Sequence, residues 1–379
     1  MISDDFSESR ARRTLTAGGR ILRALRMDGP LTGALTAIII IGFLVVYSAS
    51  GQNIIVMEHH VANLGVAVTA MLFIARFVTP QYLRLFAPIA YVIGIMLLIV
   101  VDFTGHVGKG AQRWLDIAFI RFQPSEIMKL AVPLVCAWYM HERPQPPTFK
   151  DLMILGLLIA IPTALIVKQP DLGTALLIAS SGLIVILLAG LQIWFILASI
   201  PIMVGAAWAG WHFMHEYQRQ RVLTFLNPQN DPLGTGYHII QSQIAIGSGG
   251  VFGKGYMNGS QAQLEFLPER STDFIFAVIG EEFGLLGQLL ILTLYGVIIG
   301  RALYMAMQGQ DTFSRLAGGA IALSFFVYVF VNSGMVSGIL PVVGVPLPLI
   351  SYGGTSMVTL LAGFGILMSL HSHRKLVSS

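Results

Sequence analysis

Leu152-Met-Ile-Leu-Gly-Leu-Leu-Ile-Ala-Ile-Pro-Thr-Ala-Leu-Ile-Val-Lys168 runs without a charge until its last residue. Gln169-Pro-Asp171 interrupts it, and Leu172-Gly-Thr-Ala-Leu-Leu-Ile-Ala-Ser-Ser-Gly-Leu-Ile-Val-Ile-Leu-Leu-Ala-Gly190 begins a second apolar run. Each is close to the roughly 20 residues that carry a helix across the hydrocarbon of a bilayer. Neither has the polar face of a helix on the surface of a soluble domain. The pair therefore reads as two spans joined by a tight turn. Eight more apolar segments flank it, at 31–50, 61–79, 83–103, 123–141, 192–213, 274–300, 313–335 and 349–371. Of the 379 residues 55% are hydrophobic and 11% charged, against about 25% charged in a soluble domain. The fold class this predicts is an all-α membrane protein, a polytopic bundle of about ten transmembrane helices.

The segment 214–273 is too long and too polar to be one more turn, and it makes a long loop between the seventh and eighth spans. Ile239, Ile240, Ile244 and Ile246 form an apolar stripe within it, which predicts a helix lying on or re-entering the bilayer, and Gly247-Ser-Gly-Gly250 ends that helix. Residues 1–30 form a polar tail carrying Arg10, Arg12, Arg13, Arg20, Arg23 and Arg26. The tail is too long, and too many spans follow, for a cleaved signal peptide ending at Ser48-Ala-Ser50. The positive-inside rule puts it in the cytoplasm, and ten spans return residues 372–379, with Arg374 and Lys375, to the same side. Between them 31–371 form one domain, with 214–273 facing the periplasm. On that topology Lys109, Arg113 and Arg121 share one outer loop, Lys168 starts another, and Arg219, Arg221, Lys254 and Arg270 lie in the long one. Basic residues held outside against the topological bias point to an anionic ligand there.

Several chemistries are excluded. Gly253-Lys254 lacks the rest of a phosphate-binding Walker loop, since Ser248 stands for its first glycine and Gly255 for its hydroxyl residue. No Asp-x-Asp pair is placed to hold a metal and a nucleotide sugar. His59, His60, His215 and His238 show no ligand spacing. Ser337 and Ser351 lack a nucleophile elbow. The dispersed net charge of +4 disfavours nucleic acid, and Cys136, as the one cysteine, forms no internal disulfide. Polar groups beside spans are the better candidates. Glu126 and Lys129 stand three apart on one helix face, with Arg121, Gln123 and Ser125 at the entry to that helix. Asp171 stands before the sixth span, where it also suits an N-cap. Glu281 and Glu282 lie two turns into the eighth and read as a satisfied buried pair.

Six blocks in order carry a resemblance that covers the chain from about residue 30 to its end. They are Lys109-Gly-Ala-Gln-Arg-Trp-Leu115, Arg121-Phe-Gln-Pro-Ser-Glu-Ile127 with Lys129, and Gln169-Pro-Asp-Leu-Gly-Thr174, followed by three more. Those three are Asp231-Pro-Leu-Gly-Thr-Gly-Tyr-His-Ile-Ile-Gln-Ser242, Glu265-Phe-Leu-Pro-Glu-Arg-Ser-Thr-Asp-Phe274, and Gly338-Ile-Leu-Pro-Val-Val-Gly-Val-Pro-Leu-Pro-Leu-Ile-Ser-Tyr-Gly-Gly354. The chain resembles the SEDS family (shape, elongation, division and sporulation). Tyr217-Gln-Arg-Gln-Arg221 and His371-Ser-His-Arg-Lys375 are similar to its elongation branch rather than its division branch. The resemblance implies a glycosyltransferase of the bacterial inner membrane that polymerises lipid II, with inversion and release of undecaprenyl pyrophosphate. It also implies a class B penicillin-binding protein as partner, for cell elongation and rod shape. It places Asp273 at the family's catalytic carboxylate, although Ser271-Thr-Asp273 before an apolar run would equally cap a helix. Substrate-binding candidates are Trp114, Arg121, Gln123, Ser125, Glu126, Lys129, Asp171, Arg219, Arg221, Lys254, Glu269 and Arg270. No cofactor is demanded by the sequence, and a divalent cation stays open. A lipid II flippase and a non-enzymatic scaffold for the elongation machinery are the competing readings. Internal repeats with paired broken helices would favour the flippase, and outer-loop charges that can be neutralised without loss of cell shape would favour the scaffold.

Overall fold

The computed structural model describes residues 26–372 except 109, 110, 118, 119, 265, 268 and most of 192–234; for 106–108, 111, 112, 116, 117, 120, 121 and 235 it describes the backbone alone. Helices form where the apolar runs predict them: α1 (Gly29–Ala49), α2 (Ile54–Phe77), α3 (Pro80–Thr104), α4 (Pro124–Met140), α5 (Phe149–Lys168) and α6 (Leu172–Leu188). The long loop contributes α7 (Thr235–Gly249) and a single turn at Ser260–Gln263, and then come α8 (Ile275–Met307), α9 (Thr312–Val336) and α10 (Gly354–Ser372). Seven of these, α1, α2, α3, α5, α8, α9 and α10, are long and apolar enough to cross a membrane. At 17 residues each, α4 and α6 reach about 25 Å and are short spans. The expected seventh span, 192–213, lies largely outside the described residues, as do the tails.

Local chemistry sets the boundaries. Asp28 caps α1 by accepting from the Leu31 N–H at 3.0 Å, and Pro30 opens the helix. The same carboxylate takes the Arg301 guanidinium through two bonds of 3.0 and 2.7 Å, tying α1 to α8. Burial pushes the Asp28 carboxyl up, but the bond to Arg301, the Leu31 N–H and the Arg301 charge outweigh it and hold it below the ordinary 3.8. Thr148 and Asp151 form a capping box on α5. The segment α2 begins seven residues earlier than its apolar run because Asn53 caps it, which carries Glu58, His59 and His60 into the helix.

Two features go beyond the expected all-helical bundle. Between α3 and α4 the chain makes an antiparallel meander of β1 (His106–Gly108), β2 (Ala111–Ile117) and β3 (Ile120–Phe122), with Val107 opposite Gln112 and Asp116 opposite Arg121. Strands this short are invisible in a hydropathy profile. The second is a break inside α8 at Gly284, where φ is 66° and ψ −163°. Residues 250–255 fill the break. The N–H groups of Leu285 and Leu286 donate to Gly250 and Val251 oxygens at 3.0 and 3.2 Å, and the Glu281 and Glu282 carbonyls accept from Lys254 and Gly255 at 2.9 and 3.0 Å. Four backbone groups beside the break thus find partners in the inserted segment, as groups inside a membrane protein must.

Among the described residues the core has two large apolar clusters and a small third one of Leu177, Tyr328 and Val345. Of the large two, one gathers α1, α2, α7 and α8, and the other gathers α3 to α6. Both draw on α9 and α10, which give Phe325 and Phe364 to the first cluster and Phe313 and Ile366 to the second. These two helices form the centre of the bundle, and the irregular segment between them, 337–353, lies at the end where α1 finishes and α8 starts.

Candidate functional site

The chain enters α8 through a tight turn over 269–274. Glu269, with φ 49°, accepts at its carbonyl from the N–H groups of Thr272 (3.1 Å) and Phe274 (3.2 Å), and its side chain accepts from the Thr272 hydroxyl at 3.0 Å. The N-cap of α8 is Phe274, so Asp273 stands one residue outside the capping position. Asp273 is half-buried, and segment 337–353 folds over its turn. The Tyr352 N–H donates to Ser271 O at 2.8 Å, and the Ser351 hydroxyl donates to Thr272 O at 2.5 Å while accepting from Leu347 N at 2.8 Å. Gly344, at φ 74°, passes so close that a Cβ there would lie 3.5 Å from Asp273 Oδ2. Beneath the turn, Asn332 of α9 donates to Asp273 O at 2.8 Å and to Val345 O at 2.6 Å.

A second polar group assembles at the starts of α4 and α6. Asp171 caps α6 by accepting from Thr174 N at 3.2 Å, and it also accepts from Gln123 Nε2 at 3.3 Å. Arg113, projecting from β2, lies 3.7 Å from the same carboxylate and donates to the carbonyls of Gln169 and Pro170. The Glu126–Lys129 spacing produces the ion pair it predicts, at 2.7 Å, and the ammonium lies 5.3 Å from the centre of the Tyr328 ring. Glu126 and Ser125 are both buried, and Glu126 Oε2 and Ser125 Oγ have no hydrogen-bond partner among the described residues. Buried polar atoms without partners are costly, so this is a place where polar groups of a ligand would be favoured.

The two groups meet through segment 337–353. Gly173, the second residue of α6, packs so tightly that a Cβ would lie 2.5 Å from Val343 O and 3.2 Å from the Val345 side chain. Val345 packs in one cluster with Leu177 and Tyr328. Thus Gln123, Ser125, Glu126, Lys129 and Asp171 stand on one side of Val343–Val345, and Asp273 with Glu269 on the other. Trp114 is partly buried in β2, opposite His106. The side chain of Arg121 and all of Arg221 lie outside the described residues. Arg219 donates to Trp211 O at 2.8 Å and lies over that ring.

Lys254 and Arg270 have other work. The Lys254 ammonium pairs at 2.7 Å with Glu281, which also accepts from Ser260 Oγ, Gln261 N and Ala262 N. Arg270 donates to Ala262 O. These bonds hold the loop that fills the α8 break. Glu281 is therefore the satisfied buried carboxylate its position suggests, while Glu282 takes the Ser48 hydroxyl on one oxygen and has no partner on the other among the described residues. Sequence reasoning missed Tyr328, Asn332 and Gly344. Asn332 had a legible signal, as a lone amide in an apolar span. Among the described residues no three histidines, cysteines or carboxylates converge to hold a metal. What the arrangement offers chemically is a half-buried carboxylate across a loop from two cation–carboxylate pairs.

The sequence model for FtsW, RodA and SpoVE, described as cell cycle proteins, matches residues 30–376. The peptidoglycan glycosyltransferase MrdB of Escherichia coli K12 is 51% identical over 356 residues, covering 93% of this chain and 96% of that protein. Among solved structures, a chain of a peptidoglycan synthase complex, studied for its coordination of polymerization and crosslinking, superposes with TM-score 0.81 at 29% identity, over 92% of this chain and 99% of that one. The rod shape determining protein RodA of Thermus thermophilus superposes with TM-score 0.70 at 27% identity, over 92% and 98%.

Proposed function

This chain belongs to the FtsW, RodA and SpoVE family of cell cycle proteins, and from that premise we propose that its polar site polymerises lipid II with Asp273 as the general base. The chain is a peptidoglycan glycosyltransferase of cell elongation, which leaves the substrate, the residues and the geometry of transfer to be argued.

A 4-hydroxyl of the incoming lipid II attacks the anomeric carbon of the growing strand. Asp273 accepts the hydroxyl proton as the new glycosidic bond forms, and the bond from that carbon to undecaprenyl pyrophosphate breaks with its electron pair leaving on the phosphate. One displacement inverts the centre and needs no covalent nucleophile. The base must sit within hydrogen-bond reach of the proton it takes, and negative charge growing on the leaving group must meet preorganised cations. The observation that carries this reading is the seat of Asp273: half-buried, beside a glycine, and separated by Val343–Val345 from the Lys129 and Arg113 pairs. A lipid-borne sugar laid along that segment would reach the carboxylate at one end and the cations at the other. Ser125 Oγ and Glu126 Oε2 would take polar groups of the sugars or peptide. Trp114, Arg121, Arg219, Arg221 and Glu269 complete the proposed binding set, with Lys254 and Arg270 acting through the loop they hold. The site faces the periplasm of the inner membrane, both termini are cytoplasmic, and a class B penicillin-binding protein cross-links the product.

Asp273→Asn tests the assignment, because asparagine has nearly the size and shape of aspartate but cannot accept the proton. We expect a folded, membrane-inserted variant that makes no glycan from purified lipid II. Polymerisation near the wild-type rate would remove Asp273 as the base and pass the question to Glu269 or Asp171.

A further inference from the structure

Helix α9 crosses the centre of the bundle, yet it carries Tyr328 and Asn332 four residues apart, on one face and about 6 Å along its axis. Tyr328 lies under the Lys129 ammonium. Asn332 is fully buried, at 0% exposure, where an amide is costly unless its donors are used. Both are used. Its amide nitrogen donates to Asp273 O at 2.8 Å and to Val345 O at 2.6 Å, which exhausts its two hydrogens. Its Oδ1 has no partner among the described residues. The two acceptors belong to irregular segments, the 269–274 turn and the 337–353 loop, which no helix or sheet ladder holds in place. One face of one rigid helix therefore touches both halves of the site.

We propose that Asn332 is a positioning residue for the transfer reaction. Its amide pins the Asp273 carbonyl and the Val345 carbonyl to α9, and so sets the direction of the Asp273 carboxylate and its distance from Lys129, which the same face holds through Tyr328. Asn332 touches neither sugar nor pyrophosphate in this role. The inference rests on the reading of Asp273 as the base. A displacement of about 1 Å at a reacting group costs on the order of 100-fold in rate, and loss of the clamp allows a displacement of that size.

The test measures kcat and KM for lipid II polymerisation by the full chain in nanodiscs. Asn332→Leu removes the donors at similar volume, and Asn332→Thr keeps one. The expected result is a loss of about 100-fold in kcat for Asn332→Leu with KM changed less than about threefold, and partial recovery in Asn332→Thr. In an Asp273→Glu background, where the carboxylate is already displaced, Asn332→Leu should cost little more. A wild-type kcat for Asn332→Leu overturns the inference, and so does a full multiplicative loss on top of Asp273→Glu. If Asn332→Leu fails to purify as a monodisperse protein, Asn332→Thr alone decides: a depressed kcat at unchanged KM supports the clamp, and wild-type kinetics overturn it. Asp273→Asn run in parallel separates the two claims. A wild-type Asp273→Asn sinks the base, whereas an inactive Asp273→Asn beside a fully active Asn332→Leu sinks the clamp alone.

Discussion

A glycine at position 344 leaves one side of the Asp273 carboxylate open. Its φ of 74° is a conformation in which other residues cost about 1–3 kcal/mol, and its missing side chain leaves room beside Oδ2 for a hydroxyl to approach. Gly344→Ala would introduce strain and set a methyl in van der Waals contact with that oxygen, 3.5 Å away. We expect polymerisation to fall by at least about tenfold, toward the 100-fold range of a misplaced reacting group, while the protein stays folded with a melting point lowered by only a few degrees. Lipid II turnover and a melting curve on the same preparation check this, and an unchanged turnover would show that the approach comes from another side. Lys129 sits in a similarly confined place, and buried with Glu126 it has no freedom to search for a ligand. In the proposed reaction the leaving phosphate therefore comes to Lys129, which suits a substrate delivered along the membrane.

At the scale of the element, the break in α8 carries the most consequence. The sequence makes 274–300 a single apolar run apart from Glu281-Glu282, and Gly284, one of five glycines in it, does not stand out as an interruption. The structure shows why glycine stands there. Gly284 has φ 66°, and a Cβ on it would overlap the backbone of Val251 and Gly253. Gly284→Ala should expel residues 250–255 and leave four backbone groups without partners, each costing about 1–3 kcal/mol. Gly296 in the same helix has open space around it, so Gly296→Ala should be neutral or slightly stabilising. Thermal unfolding of both variants in nanodiscs should put the Gly284 protein many degrees below the wild type and the Gly296 protein at or above it. Equal melting points would mean that the inserted segment contributes nothing to stability.

At the scale of the whole molecule, five long apolar helices and two shorter ones among the described residues are arranged around α9 and α10, and the polar site lies at the end where α1 finishes and α8 begins. That end is periplasmic in the proposed topology. In a Cys136→Ser background, a cysteine at Ser260 should react with an impermeant thiol reagent in intact spheroplasts, and a cysteine at Ser9 should not. Labelling of position 9 with protection of position 260 would invert the molecule and place the site on the wrong side for wall synthesis. The site also depends on distant parts of the chain being brought together. Asp171, Gln123 and Arg113 meet across three elements, and Asp273, Asn332 and Gly344 across three others.

The sequence alone determined which stretches enter the membrane, because a run of some 20 apolar residues has no other solvent, and nine of its ten segments are helices, although α2 begins seven residues before its expected limit and α8 ends seven after. It also determined the Glu126–Lys129 pair and the Asp171 cap, which depend on spacings of three residues within one helix. Its ordered blocks carried the family as well. Only the tertiary structure decided that Lys254 is bound to Glu281, 27 residues away, that residues 250–255 complete α8, and that Asn332 reaches Asp273 across 59 residues. The physical reason is range. Hydropathy and capping act over a few residues and can be read along the chain, whereas the partner of a buried donor or charge is set by which backbone the packed helices bring within about 3 Å.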